Sequence, residues 1–154
     1  MSLLDKYNEA MARLRADVTD VIQNDMRDGI AVAMVDSART RVYDAYSPKK
    51  YERRWTLTDP SHYKFYPINM GIEVESPIEG NPAYAPPVSS GWNPGYISHI
   101  IESGDGYPWF TKGNDLNTIG PRPYLTEGIK DYVNTGKANE DLADGLRARG
   151  YIVE

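Results

Sequence analysis

Arg41-Val-Tyr-Asp-Ala-Tyr-Ser-Pro-Lys-Lys-Tyr-Glu-Arg-Arg-Trp-Thr-Leu-Thr58 is the stretch at which this chain changes character, from a long helical pattern before it to an aromatic, proline-punctuated pattern after it. Pro48 cannot sit in a helix interior and disfavours helical geometry at Ser47, so the preceding helix is expected to end over residues 43–46. Residues 51–57 then read as a strand, and Asp59-Pro60-Ser61 as a turn. The hydrophobic content of the stretch is almost entirely tyrosine and tryptophan. Tyr43, Tyr46, Tyr51 and Trp55 are interleaved with Lys49, Lys50, Arg53 and Arg54, a mixture that suits contact surface wet on one side. No catalytic motif lies in it.

Working outward towards the N-terminus, Leu3, Leu4, Tyr7, Met11, Leu14, Val18, Val21, Ile22 and Met26 follow the three-four spacing of one helical face. Asp5, Lys6, Glu9, Arg13, Arg15, Asp17 and Asp20 fill the other, so the spacing predicts a long amphipathic helix. Ser2 and Asp5 form a capping box with Asp in place of Glu. Asp28-Gly29 is the expected site of a break or kink. The pattern resumes through Ile30, Ala33, Met34, Ala38 and Val42, giving a helical arm over residues 1–46.

Towards the C-terminus, Met70, Ile72 and Val74 alternate with Gly71, Glu73 and Glu75, which predicts a half-buried strand over 69–76. Residues 77–95 are rich in Pro, Gly, Ser and Asn and read as a long loop, a feature that is usually functional. A short apolar run over 96–102 follows, then Ser103-Gly-Asp-Gly-Tyr-Pro-Trp-Phe110 and a second polar loop over 112–120. The two loop regions present Trp92, Tyr107, Trp109 and Phe110. Pro121-Arg-Pro-Tyr-Leu125 leads into a helix that Gly136 ends, with Pro123 in its first turn. A further helix is capped near Asn139 and closed by Gly150, and Tyr151-Ile-Val153 is expected to be a final strand. These elements describe one α+β domain over 1–154, with helices packed on a small, mainly antiparallel sheet: arm 1–46, strands and long loops 47–120, C-terminal helices and final strand 121–154.

The chain has 154 residues, enough to build a core without staples, and no cysteine, which removes disulfides, thiolate metal sites and cysteine nucleophiles. Seventeen Lys and Arg against 22 Asp and Glu leave a formal net charge of −5, which disfavours binding nucleic acid through an overall positive field. Nothing approaches the ~18 consecutive apolar residues of a membrane span, and the N-terminus lacks a signal-peptide layout. Membrane association is not expected. Twelve Tyr and 3 Trp stand against 2 Phe, a skew towards amphipathic aromatics that favours interfaces over a closed pocket.

The chemistry of the remaining motifs is sparse. His62 and His99 are the only histidines, and Ser89-Ser90-Gly91 lacks the Gly-x-Ser-x-Gly elbow of a hydrolase. Glu102 and Asp105 lie close together in a glycine loop, but their spacing does not match a calcium loop and a turn accounts for them. No enzyme activity, cofactor or metal is expected. A different reading gives Trp92, Tyr107 and Trp109 to stacking on sugars or another polymer, a non-catalytic carbohydrate-binding module.

The order of features becomes familiar at His99-Ile-Ile-Glu-Ser-Gly-Asp-Gly106 and Pro121-Arg-Pro-Tyr-Leu-Thr-Glu-Gly-Ile129. Following a long amphipathic helix, these resemble the tail-completion or head-tail joining proteins of long-tailed bacteriophages. The stretch Tyr43-Asp-Ala-Tyr-Ser-Pro-Lys-Lys-Tyr-Glu-Arg-Arg54 also resembles one recurring in phage structural proteins. The sequence departs from that family at the joint, where Ser47-Pro48 and Tyr51-Glu-Arg-Arg54 stand in place of a Pro-x-x-Thr-Gly-x-Leu-Arg segment. The resemblance implies an α+β virion subunit made in the host cytoplasm, working in a six-fold homo-oligomeric ring of the neck with other neck and tail proteins. DNA would pass through such a ring without sequence-specific binding. The interface expected from these residues comprises Tyr43, Tyr46, Tyr51, Arg53, Arg54, Trp55, Trp92, Tyr107, Trp109 and Phe110.

Overall fold

A computed structural model describes residues 1–45, 55–76, 101–102 and 121–154. Helix α1 (Leu3–Asp20) starts at the expected capping box, with Ser2 N–H donating to Asp5 Oδ2 at 2.7 Å and Asp5 N–H donating to Ser2 Oγ at 3.1 Å. It runs through a π turn, Val21–Asp25, into α2 (Arg27–Ala38) and a second π turn, Arg39–Tyr43. The irregularity expected at Gly29 therefore falls earlier, at 21–26. Gly29 lies inside α2, and its missing side chain serves packing: a Cβ there would sit 3.0 Å from the Tyr132 hydroxyl and collide with the Asp141 carboxylate.

Ile30, Ala31, Met34, Ser37 and Ala38 form one buried stripe along α2, and Val42 and Tyr43 extend it through the second π turn. This stripe packs chiefly on α3 (Tyr124–Asn134), which buries Tyr124, Gly128 and Tyr132. Met34 and Tyr124 are fully enclosed, and each side chain of that size contributes about 1.5–3 kcal/mol relative to exposure. Two glycines set how closely the helices approach. A Cβ on Gly128 would lie 2.7 Å from Met34 Cε, and one on Gly145, in α4 (Lys137–Ala148), would lie 2.5 Å from Val21 Cγ1.

α3 ends at Gly136 and α4 at Gly150, both left-handed, as expected of helix-terminating glycines. Tyr151 N–H and Gly150 N–H close the end of α4 on the carbonyls of Leu146 (3.1 Å) and Arg147 (2.9 Å). Pro123 lies one residue before α3, at its N-cap, and α4 begins two residues ahead of Asn139. The final strand expected at 151–153 is not formed. The chain folds back on itself there, with the Arg147 guanidinium donating to the Val153 carbonyl at 3.1 and 3.3 Å, which satisfies a group that a neighbouring strand would otherwise pair.

The sheet among the described residues has two antiparallel strands, β1 (Lys64–Ile68) and β2 (Gly71–Glu75), in the register Lys64↔Glu75 to Ile68↔Gly71. β2 falls inside the predicted strand, with Ile72 and Val74 facing the core. Met70, expected on that face, is instead in the turn and 55% exposed. β1 contains Pro67, which a two-stranded sheet tolerates because each strand keeps an open edge. Gln23 Nε2 donates to the carbonyls of Ile68 (2.8 Å) and Gly71 (3.2 Å), tying the hairpin turn to the first π turn. Arg27 lies over the Phe65 ring, 6.0 Å from its centre. The fold is α+β.

The strand expected over 51–57 is overturned where it is described. Trp55 is left-handed at φ 57°, a conformation that ends an extended run, and Thr56–Thr58 form a 3₁₀ turn. Residues 46–54, which hold the rest of that stretch, lie outside the described residues.

Candidate functional site

Of the residues proposed from sequence as an interface, Tyr43 and Trp55 are described. Tyr46, Tyr51, Arg53, Arg54, Trp92, Tyr107, Trp109 and Phe110 lie outside the described residues, as do Lys49, Lys50 and His99. Tyr43 is buried in the chain's own core at 8% exposure, and its hydroxyl accepts the Leu57 N–H at 3.0 Å. Trp55 covers it, with ring centres 4.5 Å apart and planes tilted by 31°, yet keeps 46% of its own surface exposed. The pair thus has an inner member that anchors and an outer member that presents an aromatic face to the outside.

The turn that aims Trp55 is fixed by side chains. Thr58 Oγ1 donates to the Trp55 carbonyl at 2.7 Å, and Tyr63 donates its hydroxyl to the Leu57 carbonyl at 2.7 Å. His62 Nδ1 lies 2.8 Å from the Thr56 carbonyl, so this histidine is held by backbone. Asp59 accepts from Ser61 N–H at 2.9 Å and Ser61 Oγ at 2.7 Å, the turn expected from Asp59-Pro60-Ser61. Those two bonds hold the Asp59 carboxyl below its usual 3.8. Burial is the first cause that raises the Tyr63 phenol far above the ordinary 10.0.

Glu102, one of the two carboxylates in the glycine loop, caps α3. It accepts from Leu125 N–H and Thr126 N–H, both at 2.9 Å, and from Thr126 Oγ1 at 2.6 Å. Free amides and the positive end of a helix dipole favour a carboxylate there. The spacing of 23 and 24 residues explains why no local signal announced the contact.

A groove of about 990 Å³ runs between α2 and the α3–α4 pair. Gly29, Val32 and Ala33 form one wall, and Asp131, Tyr132, Lys137, Asp141 and Asp144 the other. Tyr132 donates its hydroxyl to Asp141 at 2.7 Å, Lys137 pairs with the same carboxylate at 2.8 Å, and Arg41 pairs with Asp131 at 2.9 Å. Burial first, then the bond to Asp141, raises the Tyr132 phenol well above 10.0. The Tyr132–Asp141 and Arg41–Asp131 contacts thereby tie neighbouring elements together, while Lys137–Asp141 is a pair within α4. Among the described residues no three His, Asp or Glu side chains converge to hold a metal, and no helix is long and apolar enough to cross a membrane.

Among the described residues a run of exposed apolar side chains marks the start of the chain and α1. No residue of that helix is buried, and Met1 (85%), Leu3 (86%), Leu4 (66%) and Tyr7 (60%) stand open at its outer end. Its inner end is held by a clasp: Arg149 pairs with Asp20 and Asp25, and Tyr151 donates to Asp17 at 2.5 Å. The bond from Arg149 is the first cause holding the Asp20 carboxyl below 3.8. Periodicity located this helix but did not distinguish its covered end from its open one.

The described residues thus combine a helical body and a small sheet with an amphipathic helix open at its outer end and an aromatic pair of which only the inner member is enclosed. Residues 6–148 match the YomN family model, and the chain belongs to that family, a phage-derived one from the Bacillus phage SPbeta region. No curated protein and no solved structure matches it.

Proposed function

We propose that this chain is a structural protein of the phage particle, a ring-forming subunit of the neck that joins the head connector to the tail or completes the tail end. The observation that carries the reading is the open apolar arm on a chain of phage-derived family: Leu3, Leu4 and Tyr7 are displayed where an isolated monomer gains nothing from displaying them. The order of sequence features, from the long helix through Pro121-Arg-Pro-Tyr-Leu125, supports placing it at the neck in six copies. An acidic subunit also suits a lumen through which DNA must slide, since its 22 acidic residues outnumber its 17 basic ones and give no overall positive field to hold phosphates. The protein then works by assembly and carries no enzyme activity.

Deleting the gene from the phage tests this. Tail-less or headless assemblies visible by electron microscopy, with restoration on supply of the protein in trans, are expected. Infectious, tailed particles in its absence would end the proposal.

A further inference from the structure

We infer that residues 4–15 of α1 form a docking surface for the same residues of a second copy of this chain, the two helices running antiparallel. Leu4, Tyr7, Met11, Leu14, Val18 and Val21 recur in alternating steps of three and four, the a and d positions of a heptad seam. At the inner end the seam is filled by the chain's own body, since Val21 is fully enclosed. At the outer end Leu4 and Tyr7 are 66% and 60% exposed. A seam of this period is complemented by a helix of the same period, and an identical copy supplies one.

Side-chain size and charge select the direction. In an antiparallel pair a positions face d positions, so Leu4 meets Leu14 of the second copy and Tyr7 meets Met11, each twice about a two-fold axis. That gives four consecutive layers. Ala10 then meets Ala10 beside the seam, where a small side chain lets the helices approach. The same register puts Asp5 on the edge occupied by Arg15 of the second copy, offset by two residues of helix rise, ~3 Å. Two opposite-charge pairs follow by symmetry. A parallel, in-register pair sets Ala10 beside Arg15 and Asp17 beside Ile22 at the flanks, and gains no such pair. Two faces of this length bury on the order of 1,000 Å², the lower edge of specific contacts, so the pairing is sought at a dissociation constant in the micromolar range.

A two-fold contact joins two bodies and is separate from any contact that closes a ring, so the neck assignment can fail while this pairing stands, and the reverse. The absence of native cysteine makes the test direct. At about 100 μM protein, some 100-fold above a micromolar dissociation constant, mild oxidation of Ala10→Cys is expected to give a cross-linked dimer. Leu4→Cys under the same conditions is expected to stay uncross-linked, because its neighbour is Leu14. Sedimentation of the unmodified chain should show concentration-dependent association that Tyr7→Glu weakens at least 10-fold, with helix content by circular dichroism unchanged. Cross-linking at Leu4→Cys but not at Ala10→Cys, a monomer at every concentration, or association indifferent to Tyr7→Glu would each overturn the inference.

Discussion

The two ends of α1 carry the same alternation of apolar and charged residues, yet one is rooted in the protein and the other stands clear of it. At the rooted end Val21 is enclosed beneath Gly145, and Arg149 and Tyr151 reach across from the far end of the chain to Asp20, Asp25 and Asp17. At the open end Leu3, Leu4 and Tyr7 have their apolar surface in water. The difference teaches that hydrophobic periodicity specifies a face without specifying what covers it. Cover depends on partners far away in sequence, such as Gly145 for Val21, or on a partner outside the chain.

The comparison is broken most forcefully by placing a charge at each end. Val21→Asp puts an uncompensated carboxylate into a closed site and is expected to cost about 3–5 kcal/mol, enough to unfold a marginal domain. Leu4→Asp, measured in dilute protein, should change stability by no more than about 0.5 kcal/mol, as exposed positions usually do. Urea denaturation followed by circular dichroism measures both. Similar losses at the two positions would mean that the open end is covered within the monomer.

A subtler change tests why the rooted end is closed. Gly145→Ala sets a methyl 2.5 Å from Val21 Cγ1. Overpacking of that kind costs about 1–3 kcal/mol, set against about 0.5–1 kcal/mol gained from replacing a helical glycine. A net loss of about 1 kcal/mol is expected. Removing the obstructing atoms with Val21→Ala should make the double variant more stable than the two separate losses predict, by about 0.5 kcal/mol or more, because residues in contact do not act additively. Strict additivity would show that α4 shifts freely away from the turn.

These residues also mark how far the sequence could be read. Local devices were legible because their partners lie within a few positions: the Ser2–Asp5 box, the Asp59-Pro60-Ser61 turn, and the glycines that end α3 and α4. The strand face Ile72–Val74 was legible from its period of two. β1 escaped notice because Pro67 argues against a strand unless the sheet is known to be narrow. The strand expected at 51–57 gave way because nothing in its composition announces a left-handed Trp55. Aromatic type placed Tyr43 and Trp55 among the expected interface residues without pairing them, and only packing shows that they stack, with Tyr43 facing inward and Trp55 outward. Glu102 capping α3 and Arg149 clasping α1 join residues 23 to 129 positions apart, and no sequence pattern encodes those meetings.

The smallest expected effect concerns the clasp itself and its response to pH. Asp20 has a folded pKa below 3.8, first because of the bond from Arg149, while in the unfolded chain it returns towards the ordinary value. A carboxyl depressed by folding binds protons more readily when unfolded, so its stabilisation is fully present above about pH 4 and is lost as pH falls through the folded value. Asp20→Asn removes the titrating group. Its urea midpoint is expected to lie slightly below that of the unmodified chain at pH 7, by less than Gly145→Ala produces, because both partners of the pair are reached by solvent. As pH falls below about 4 the gap between the two midpoints should narrow. If the gap persists undiminished in acid, the clasp does not depend on the Asp20 charge, and the rooting of α1 rests on the packing of Val21 alone.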